Sequence, residues 1–439
     1  MSASDITITK KTKYILITHG DSYLGQAMAM HIADQLDKGG GQLKTKHRVV
    51  RVLCQDKTKL RHLEKRGIEE VDYESQHTIH EQVKVHIKTM IFNPFAATMG
   101  RMVERGKNVL DVAIREDVKR IVMISSYGVG AVEASFEESP IDQFNMLESH
   151  MHHQLKYGSW VVYRIPFIQQ YMYFWSLMFE NKNVLGMPIS IQDMLISVNA
   201  NDVLDCVAIA SLSKKSMVWA YHEPHRHLQA STILPGGPDG DTSSSSDDNN
   251  RQVKAIKRVY ELTSEPQTLM MMAEAASQAL REAGSGFDVD AVVISDEQLE
   301  NYLKLVAKSG KDKSFVNSEL DRTLGKISKV KDDTKHILRE VDDIPSLFSQ
   351  SNSLIHDVLF KNRGHQDSSD LYPCPADTLT PFCIHLILNH FKVARNSLPP
   401  MAPNNDIRDI TGRVPMPIDV FFMLNRKLLR SDEYNLTFK

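Results

Sequence analysis

An apolar strand, a tight turn and an amphipathic helix follow one another near the start of this 439-residue chain, from Lys13 to Gly25 and beyond. Tyr14 to Ile17 is an apolar run of strand length. The helix pattern then places apolar residues on one face, at Leu24, Ala27, Met28, Ile32 and Leu36. This order predicts the first unit of a parallel α/β sheet, in which the helix N-terminus can receive a phosphate.

The turn departs from the Gly-x-x-Gly-x-x-Gly pattern of Rossmann-type nucleotide-binding units. Its three glycine positions fall on His19, Ser22 and Gly25. The retained Gly25 serves close packing of helix on strand, whereas the two replaced glycines serve the tight turn and the approach of backbone to phosphate. We expect the fold to be retained, Gly20 to restore some backbone freedom, and a diphosphate to lie against the amides around Ser22. The candidate cofactor-binding residues of the turn are His19, Gly20, Asp21, Ser22, Tyr23, Leu24 and Gly25.

Further strands and helices alternate along the chain. The predicted strands after the first are Val49–Cys54, Glu69–Asp72, Thr89–Pro94, Arg120–Ser125 and Trp160–Pro166. Helical patterns lie between them at about 97–114 and 140–156. This alternation predicts an α/β fold with a doubly wound parallel Rossmann-type sheet, a smaller C-terminal α/β lobe and helical insertions.

Three more candidate contacts follow predicted strands, because ligands of such sheets bind at the carboxyl ends of strands. They are Gln55, Asn93 and Ser125. Asn93 precedes a proline, so a plain turn residue is an equal alternative. An acid after the second strand would favour NAD and an arginine NADP. Gln55 favours neither NAD nor NADP strongly. The choice between the two cofactors also stays open because the charged residues nearby have both signs: Asp56, Lys57, Lys59 and Arg61.

Six short segments, in this order, resemble the NmrA-like family of atypical short-chain dehydrogenase-like proteins. They are Thr18–Gly25, Asp117–Ser126, Tyr163–Pro166, Asn199–Val203, Val259–Thr263 and Asp409–Pro415. The resemblance covers about residues 13–230, 256–305 and 376–430. It implies an NAD(P)-binding Rossmann domain with a smaller C-terminal lobe. Members of this family include oxidoreductases and regulators that sense a dinucleotide and act through protein partners.

The catalytic pair of short-chain dehydrogenases, Tyr-x-x-x-Lys, is absent from this sequence. None of its thirteen tyrosines has a lysine four positions later. Alignment of the helix after the fifth strand puts Phe144 and Glu148 near the tyrosine and lysine positions. A carboxylate cannot replace the ammonium that lowers the tyrosine pKa. We therefore predict no catalytic residue, and we interpret Ser125, Ser126 and Tyr127 as turn residues near the cofactor.

The chain divides into three parts in this interpretation. Residues 13–230 form the NAD(P)-binding domain, 231–257 a disordered insertion rich in Ser, Gly and Asp, and 258–439 the C-terminal lobe. The lobe contains a charged helical insertion at about 310–375, which is a candidate surface for a protein partner. A helix packed on its own domain is the commoner alternative.

Composition excludes several other classes of protein. The net charge of −3 gives no support for nucleic-acid binding, and no apolar run approaches the roughly 20 residues of a membrane span. The N-terminus lacks the apolar core of a secretory signal, and the four cysteines are expected to be thiols, in the cytoplasm or the nucleus. Two histidine groups lack a full metal-ligand set: His150, His152 and His153, and His222, His225 and His227.

The sequence thus favours a regulator that senses NAD(P) without efficient catalysis. The first alternative is an NAD(P)H-dependent oxidoreductase with a rearranged proton donor. The second is a scaffold that has lost the nucleotide. The dinucleotide is the expected partner in the first two cases, and neither a substrate nor a cofactor type follows from the sequence.

Overall fold

The computed structural model describes residues 13–38, 48–66, 68–84, 87–94, 101–130, 139–155, 159–213, 258–284, 286, 288–309, 322–323, 325, 374, 378–396 and 404–429. The predicted disordered insertion at 231–257 lies outside these residues, as does nearly all of the charged insertion at 310–375. The second histidine group, His222, His225 and His227, also lies outside them.

Thirteen strands form within the described residues. They are β1 (Lys13–Ile17), β2 (Arg48–Cys54), β3 (Ile68–Glu70), β4 (Ile87–Phe92), β5 (Arg120–Ser126), β6 (Ser159–Ile165), β7 (Phe167–Ile168), β8 (Val184–Met187), β9 (Met194–Leu195), β10 (Ser197–Val198), β11 (Val259–Glu261), β12 (Gln267–Thr268) and β13 (Asp290–Val293). Most of the longer strands are continuous apolar runs, which is typical of a sheet that is buried on both faces.

The helices within the same residues number eleven. They are α1 (Tyr23–Lys38), α2 (Gln76–Val83), α3 (Met102–Arg115), α4 (Pro140–Gln154), α5 (Ser176–Lys182), α6 (Ala200–Leu212), α7 (Leu269–Glu282), α8 (Asp296–Ser309), α9 (Pro381–Asn396), α10 (Asp406–Thr411) and α11 (Ile418–Leu424). Two segments with 3-10 geometry, Lys57–Arg66 and Gln169–Trp175, follow β2 and β7.

Seven strands form one parallel sheet in the order β11-β6-β5-β4-β1-β2-β3. Alternate residues of β1 face opposite sides of it. Ile15 and Ile17 pack in the core that includes α1 and α6, and Leu16 packs in the core that includes α2, α3 and α4. Helices therefore cover both faces, which confirms the predicted doubly wound α/β fold. The strand order reverses between β1 and β4, and ligands of such sheets bind at that crevice.

Three two-stranded sheets lie outside the main sheet, and two of them join chain segments far apart in sequence. β8 pairs with β13 and β9 pairs with β12, whereas β7 pairs with the nearer β10. The C-terminal residues are also bonded back to the earlier part of the chain. The Met416 amide donates to Asp202 Oδ2 at 2.7 Å, and the Glu261 amide donates to Asp406 Oδ2 at 2.8 Å. The division into domains at 13–230 and 258–439 remains a prediction.

None of the helices in the described part of the chain is long and apolar enough to cross a bilayer. The four cysteines, Cys54, Cys206, Cys374 and Cys383, are buried thiols. Burial raises the pKa of Cys54 and Cys383 to about 12, which keeps these two sulfurs protonated and unreactive.

Candidate functional site

The loop between β1 and α1 packs tightly against its neighbours, and its two glycines explain why. A Cβ on Gly25 would lie 2.2 Å from the His19 carbonyl oxygen, so the helix start can approach the turn only without a side chain. A Cβ on Gly20 would lie 2.0 Å from Cγ1 of Val52 in β2. The left-handed residue of the turn is His19, with φ of 47°. The expectation that Gly20 supplies backbone freedom is therefore wrong, because Gly20 is required for close packing on β2.

The His19 side chain, at the first replaced glycine, turns inward against Tyr73. The two rings stack with centroids 3.9 Å apart and planes 9° from parallel, and the His19 amide donates to the Tyr73 hydroxyl at 2.7 Å. Within the described part of the chain neither imidazole nitrogen has a hydrogen-bond partner of good geometry, although the nearby Asn93 backbone favours the charged form. Burial dominates and lowers the His19 pKa to about 3, so the ring is neutral.

The Ser22 hydroxyl, at the second replaced glycine, makes all the hydrogen bonds that a hydroxyl can make. It donates to the His19 carbonyl at 2.8 Å and accepts from the Gly25 amide at 3.1 Å and from Asn93 Nδ2 at 2.9 Å. The Ser22 amide also donates to the His19 carbonyl, at 3.1 Å. Ser22 therefore organises the loop and has no free donor for a diphosphate. Among the described residues the Leu24 amide, in the first turn of α1, donates to no acceptor.

Asn93 connects the ends of β1 and β4 at the reversal of strand order. Its amide donates to Thr18 Oγ1 at 2.9 Å, and Thr18 Oγ1 donates to the Asn93 carbonyl at 3.2 Å. The side chain is fully buried, and its Oδ1 has no partner among the residues that the structure describes. Asn93 thus lies beside the predicted crevice as a brace for the loop, with one acceptor still available.

Asp21 and Gln55 meet where β2 ends. Asp21 Oδ2 accepts a hydrogen bond from the Gln55 amide at 3.3 Å. Burial raises the pKa of Asp21, and the backbone amides and the charge of Lys59 partly offset that effect. The structure therefore places a carboxylate at the end of β2, although the sequence has a glutamine there.

A small cavity of about 50 Å³ opens beside the loop. It is lined by three groups of residues: the loop and α1, the end of β2, and residues from later in the chain. They are His19, Asp21, Ser22, Tyr23, Leu24, Gln26, Gln55, Lys59, Tyr171, Thr378, Thr380, Phe382 and Cys383. Ligand pockets usually measure about 300–1,000 Å³, so this cavity is small, and Thr378, Thr380, Phe382 and Cys383 occupy one side of it.

Ser125, at the end of β5, belongs to a buried charged cluster. Its hydroxyl donates to Glu148 Oε1, and Arg164 of β6 holds the same carboxylate with two hydrogen bonds, of 3.1 and 2.8 Å. Glu261 of β11 lies 3.6 Å from Arg164 Nη1. Burial alone would lower the Arg164 pKa, but the two carboxylates raise it overall, so the guanidinium stays charged. Ser125 is thus tied to a salt bridge.

The position expected for a catalytic tyrosine holds a core residue. Phe144 of α4 is fully buried, and its ring centroid lies 6.4 Å from that of Phe382, at the start of α9. One helical turn later on α4, Glu148 faces the end of β5. The alignment of Phe144 and Glu148 with the tyrosine and lysine positions agrees with this placement, since Glu148 reaches Ser125.

The histidines of α4 do not converge on one point. His150 Nε2 lies 2.7 Å from Asp111 Oδ1, whereas His152 and His153 are exposed. Within the described residues no group of three or more histidine, cysteine, aspartate or glutamate side chains is arranged to hold a metal ion.

Sequence reasoning missed three contributors to the site. Tyr73 follows a short strand, and Tyr171 and Phe382 come from distant parts of the chain. Arg164 belongs to the family-like segment Tyr163–Pro166, but it was not among the predicted site residues. No local sequence pattern predicts that these side chains lie close together, because each contact depends on the order of strands in the sheet.

No protein-family model and no curated protein sequence matches this chain. The solved structures that match it over most of both chains include the following two. One is the Citrobacter sp. triphenylmethane reductase complexed with NADP(H), which is 10% identical with a TM-score of 0.53 and covers 94% of this chain and 99% of its own. Another is an NADPH-dependent quinone oxidoreductase from Escherichia coli, which is 10% identical with a TM-score of 0.50 and covers 93% of this chain and 98% of its own. At such low identity the likeness concerns the fold alone: this chain is a Rossmann-fold α/β protein.

Proposed function

We propose that this protein is an NmrA-like, dinucleotide-sensing regulator that binds NAD(P) in the crevice between β1 and β4 without efficient hydride transfer. The observation that carries the proposal is the buried cluster of Ser125, Glu148 and Arg164 at the end of β5. A short-chain dehydrogenase needs a proton donor and an ammonium in that region. Here the serine and the carboxylate are held by a guanidinium instead.

Among the described residues around the cluster, none substitutes for a tyrosine and lysine pair. Phe144 has no hydroxyl, and its ring is packed in the core. The carboxylate of Glu148 carries the wrong charge to lower the pKa of a phenol. Tyr127 lies nearby in sequence, but burial and the charge of Glu261 raise its pKa, which is the opposite of what proton abstraction requires.

The crevice nevertheless offers partners for the adenosine and diphosphate portions of a dinucleotide. α1 is 16 residues long, and the Leu24 amide in its first turn is available to a phosphate oxygen. Asp21 and Gln55 stand at the end of β2, where a ribose binds in Rossmann domains. A reductase with the same fold is complexed with NADP(H), which supports dinucleotide binding by this fold.

The small size of the cavity suggests how binding of a dinucleotide could regulate the protein. A dinucleotide needs more room than about 50 Å³, so its binding requires Thr378–Cys383 to move away from α1. Phe382 at the start of α9 packs on Phe144, so that movement would rearrange α9 and the elements packed on it. Occupancy of the crevice would thereby change the surface that a protein partner meets. The insertion at 310–375 stays a predicted partner surface.

Calorimetry on the full chain with NAD, NADH, NADP and NADPH tests the proposal. We expect at least one of them to bind and Ser22→Trp, which fills the cavity, to abolish the binding heat. The matched control is Ser190→Trp, because Ser190 is exposed and does not line the cavity. We also expect no consumption of NADH or NADPH with a panel of quinones and enones. Absence of binding of all four compounds to the folded chain would leave the scaffold interpretation.

The alternative function is an NAD(P)H-dependent oxidoreductase with a rearranged proton donor. Its specific support is that the two solved structures described above are named as a reductase and an oxidoreductase. Steady oxidation of NADPH in the presence of a quinone, lost in Ser22→Trp and kept in Ser190→Trp, would establish this function in place of the regulator.

A further inference from the structure

We infer that Asp21 makes the crevice select the unphosphorylated ribose of NAD(H) against the 2′-phosphate of NADP(H). This inference rests on the proposed dinucleotide binding. In Rossmann domains an acidic residue that follows the second strand holds the ribose 2′-hydroxyl. Here the residue after β2 is Gln55, and the acid comes from the β1–α1 loop. Asp21 Oδ2 accepts the Gln55 amide at 3.3 Å and so stands at that same place.

The chemistry of the two riboses differs at the atom that would meet this carboxylate. A 2′-hydroxyl can donate a hydrogen bond to Asp21. A 2′-phosphate carries one to two negative charges and presents acceptor oxygens, so it would face a carboxylate with like charge and no donor. The half-buried position of Asp21 strengthens this repulsion, because less water screens it.

Lys59 also lines the cavity, but its charge does not make the site favourable for a 2′-phosphate. Its charge favours the ionised form of Asp21, so the two side chains interact and together contribute no net positive charge. Lys59 is the only cationic residue among those that line the cavity in the described part of the chain. A site for a 2′-phosphate normally supplies an unopposed arginine or lysine.

The preference follows from the folded loop and not from the sequence around the end of β2. Lys57, Lys59 and Asp56 give that segment mixed charge, which is why its pattern leaves the cofactor open. Asp56 is half-buried, its Oδ1 accepts hydrogen bonds from Thr58, and it does not line the cavity. The charge that faces the ribose position comes from a residue 34 positions earlier.

Calorimetry on the full chain with NAD, NADH, NADP and NADPH tests the inference through affinity. We expect NAD and NADH to bind at least tenfold more tightly than their phosphorylated counterparts. Asp21→Asn keeps an acceptor for the Gln55 amide but removes the charge, so it should reduce this ratio about tenfold, mainly by tighter binding of NADP and NADPH. The matched control Asp56→Asn should leave the ratio unchanged.

A second variant covers the case in which Asp21→Asn does not fold. Lys59→Met leaves the loop untouched and removes the cation that offsets Asp21, so it should increase the preference for NAD(H). Equal or tighter binding of NADP(H) by the native chain would overturn the inference while leaving dinucleotide binding intact. An unchanged ratio in Asp21→Asn would overturn it as well. Failure of all four compounds to bind would overturn the proposed function, and the preference with it.

Discussion

The imidazole of His19 lies flat against the phenol of Tyr73, with ring centroids 3.9 Å apart, and the amide of the same histidine donates to the Tyr73 hydroxyl. One residue thus uses both its side chain and its backbone to hold the loop to the segment after β3. The contact replaces the conformational role of a glycine, and it also accounts for the left-handed backbone of His19. The loop is fixed before any ligand arrives.

Removal of the Tyr73 hydroxyl tests that contact. Tyr73→Phe keeps the stacked ring but leaves the buried His19 amide without an acceptor, which should lower the free energy of unfolding by about 1–3 kcal/mol. Chemical denaturation measures the change. The control is Tyr127→Phe, because the Tyr127 hydroxyl makes no hydrogen bond to the described residues. Equal effects of the two substitutions would show that the His19 contact contributes nothing specific.

Glu148 is the second position to test, because it neutralises the half-buried guanidinium of Arg164. Glu148→Gln should lower the free energy of unfolding by about 1–3 kcal/mol, since Arg164 loses its bidentate carboxylate partner. Glu148→Lys should destabilise the chain further by placing two cations together, and it should not create a dehydrogenase. The exposed pair of Glu81 and Lys84 serves as the control, where Glu81→Gln should change the stability little. A stable Glu148→Lys variant would contradict the assigned role.

Acid should destabilise the protein through its buried histidines. Burial lowers the pKa of His19 and of His390 in α9 from 6.5 to about 3. The unfolded chain therefore binds more protons than the folded chain between these values, so stability falls as the pH drops from 6.5 towards 3. Each histidine should contribute a slope of about 1.4 kcal/mol per pH unit in that window. Denaturant titrations from pH 7 to pH 4 measure the slope.

The variant His390→Leu separates the contribution of His390 to the pH dependence from that of His19. It removes one buried imidazole without touching the crevice, so the slope below pH 6.5 should decrease by about one proton's contribution. An unchanged slope would mean that His390 is protonated in the folded chain or opens to solvent.

Gly25 should be among the least replaceable residues of the chain. In Gly25→Ala the new Cβ would meet the His19 carbonyl oxygen at 2.2 Å, and its three nearest atoms are all backbone of His19 and Gly20, which cannot move aside as a flexible side chain could. We expect a loss of more than about 3 kcal/mol in the free energy of unfolding, or failure to fold. Gly286→Ala is the control, because nothing lies within 4 Å of that Cβ position. Thermal unfolding of both variants gives the comparison.

The sequence predicted the main sheet well because its strands are buried on both faces. β1, β5 and β6 contain continuous apolar runs, β2 is apolar apart from Arg48 and Arg51, and the predicted bounds of all four differ from the observed ones by a residue. β8 and the two-residue strands β7, β9, β10 and β12 were not predicted, because the shortest of them carry no periodicity. Gly25 could be identified from its spacing alone.

The site was predictable only in part. The positions of Ser22 and Asn93 beside the loop follow from motif spacing and from the ends of strands. The hydrogen bonds that saturate Ser22, the position of Thr378–Cys383 at one side of the cavity and the approach of Asp21 to Gln55 do not. Each of these depends on side-chain conformation or on packing between distant segments, and a single sequence does not encode either in a local pattern.

The pairing of β11 with β6 has a consequence for how the chain is made. The ribosome releases the first six strands of the sheet long before Val259–Glu261, and until then the outer edge of β6 has unsatisfied N–H and C=O groups. A nascent or truncated chain that ends before β11 therefore exposes an unpaired strand edge that can form hydrogen bonds with other polypeptides. Recombinant work on the N-terminal part alone should extend past Glu261, since a fragment that stops at residue 230 would be prone to aggregate.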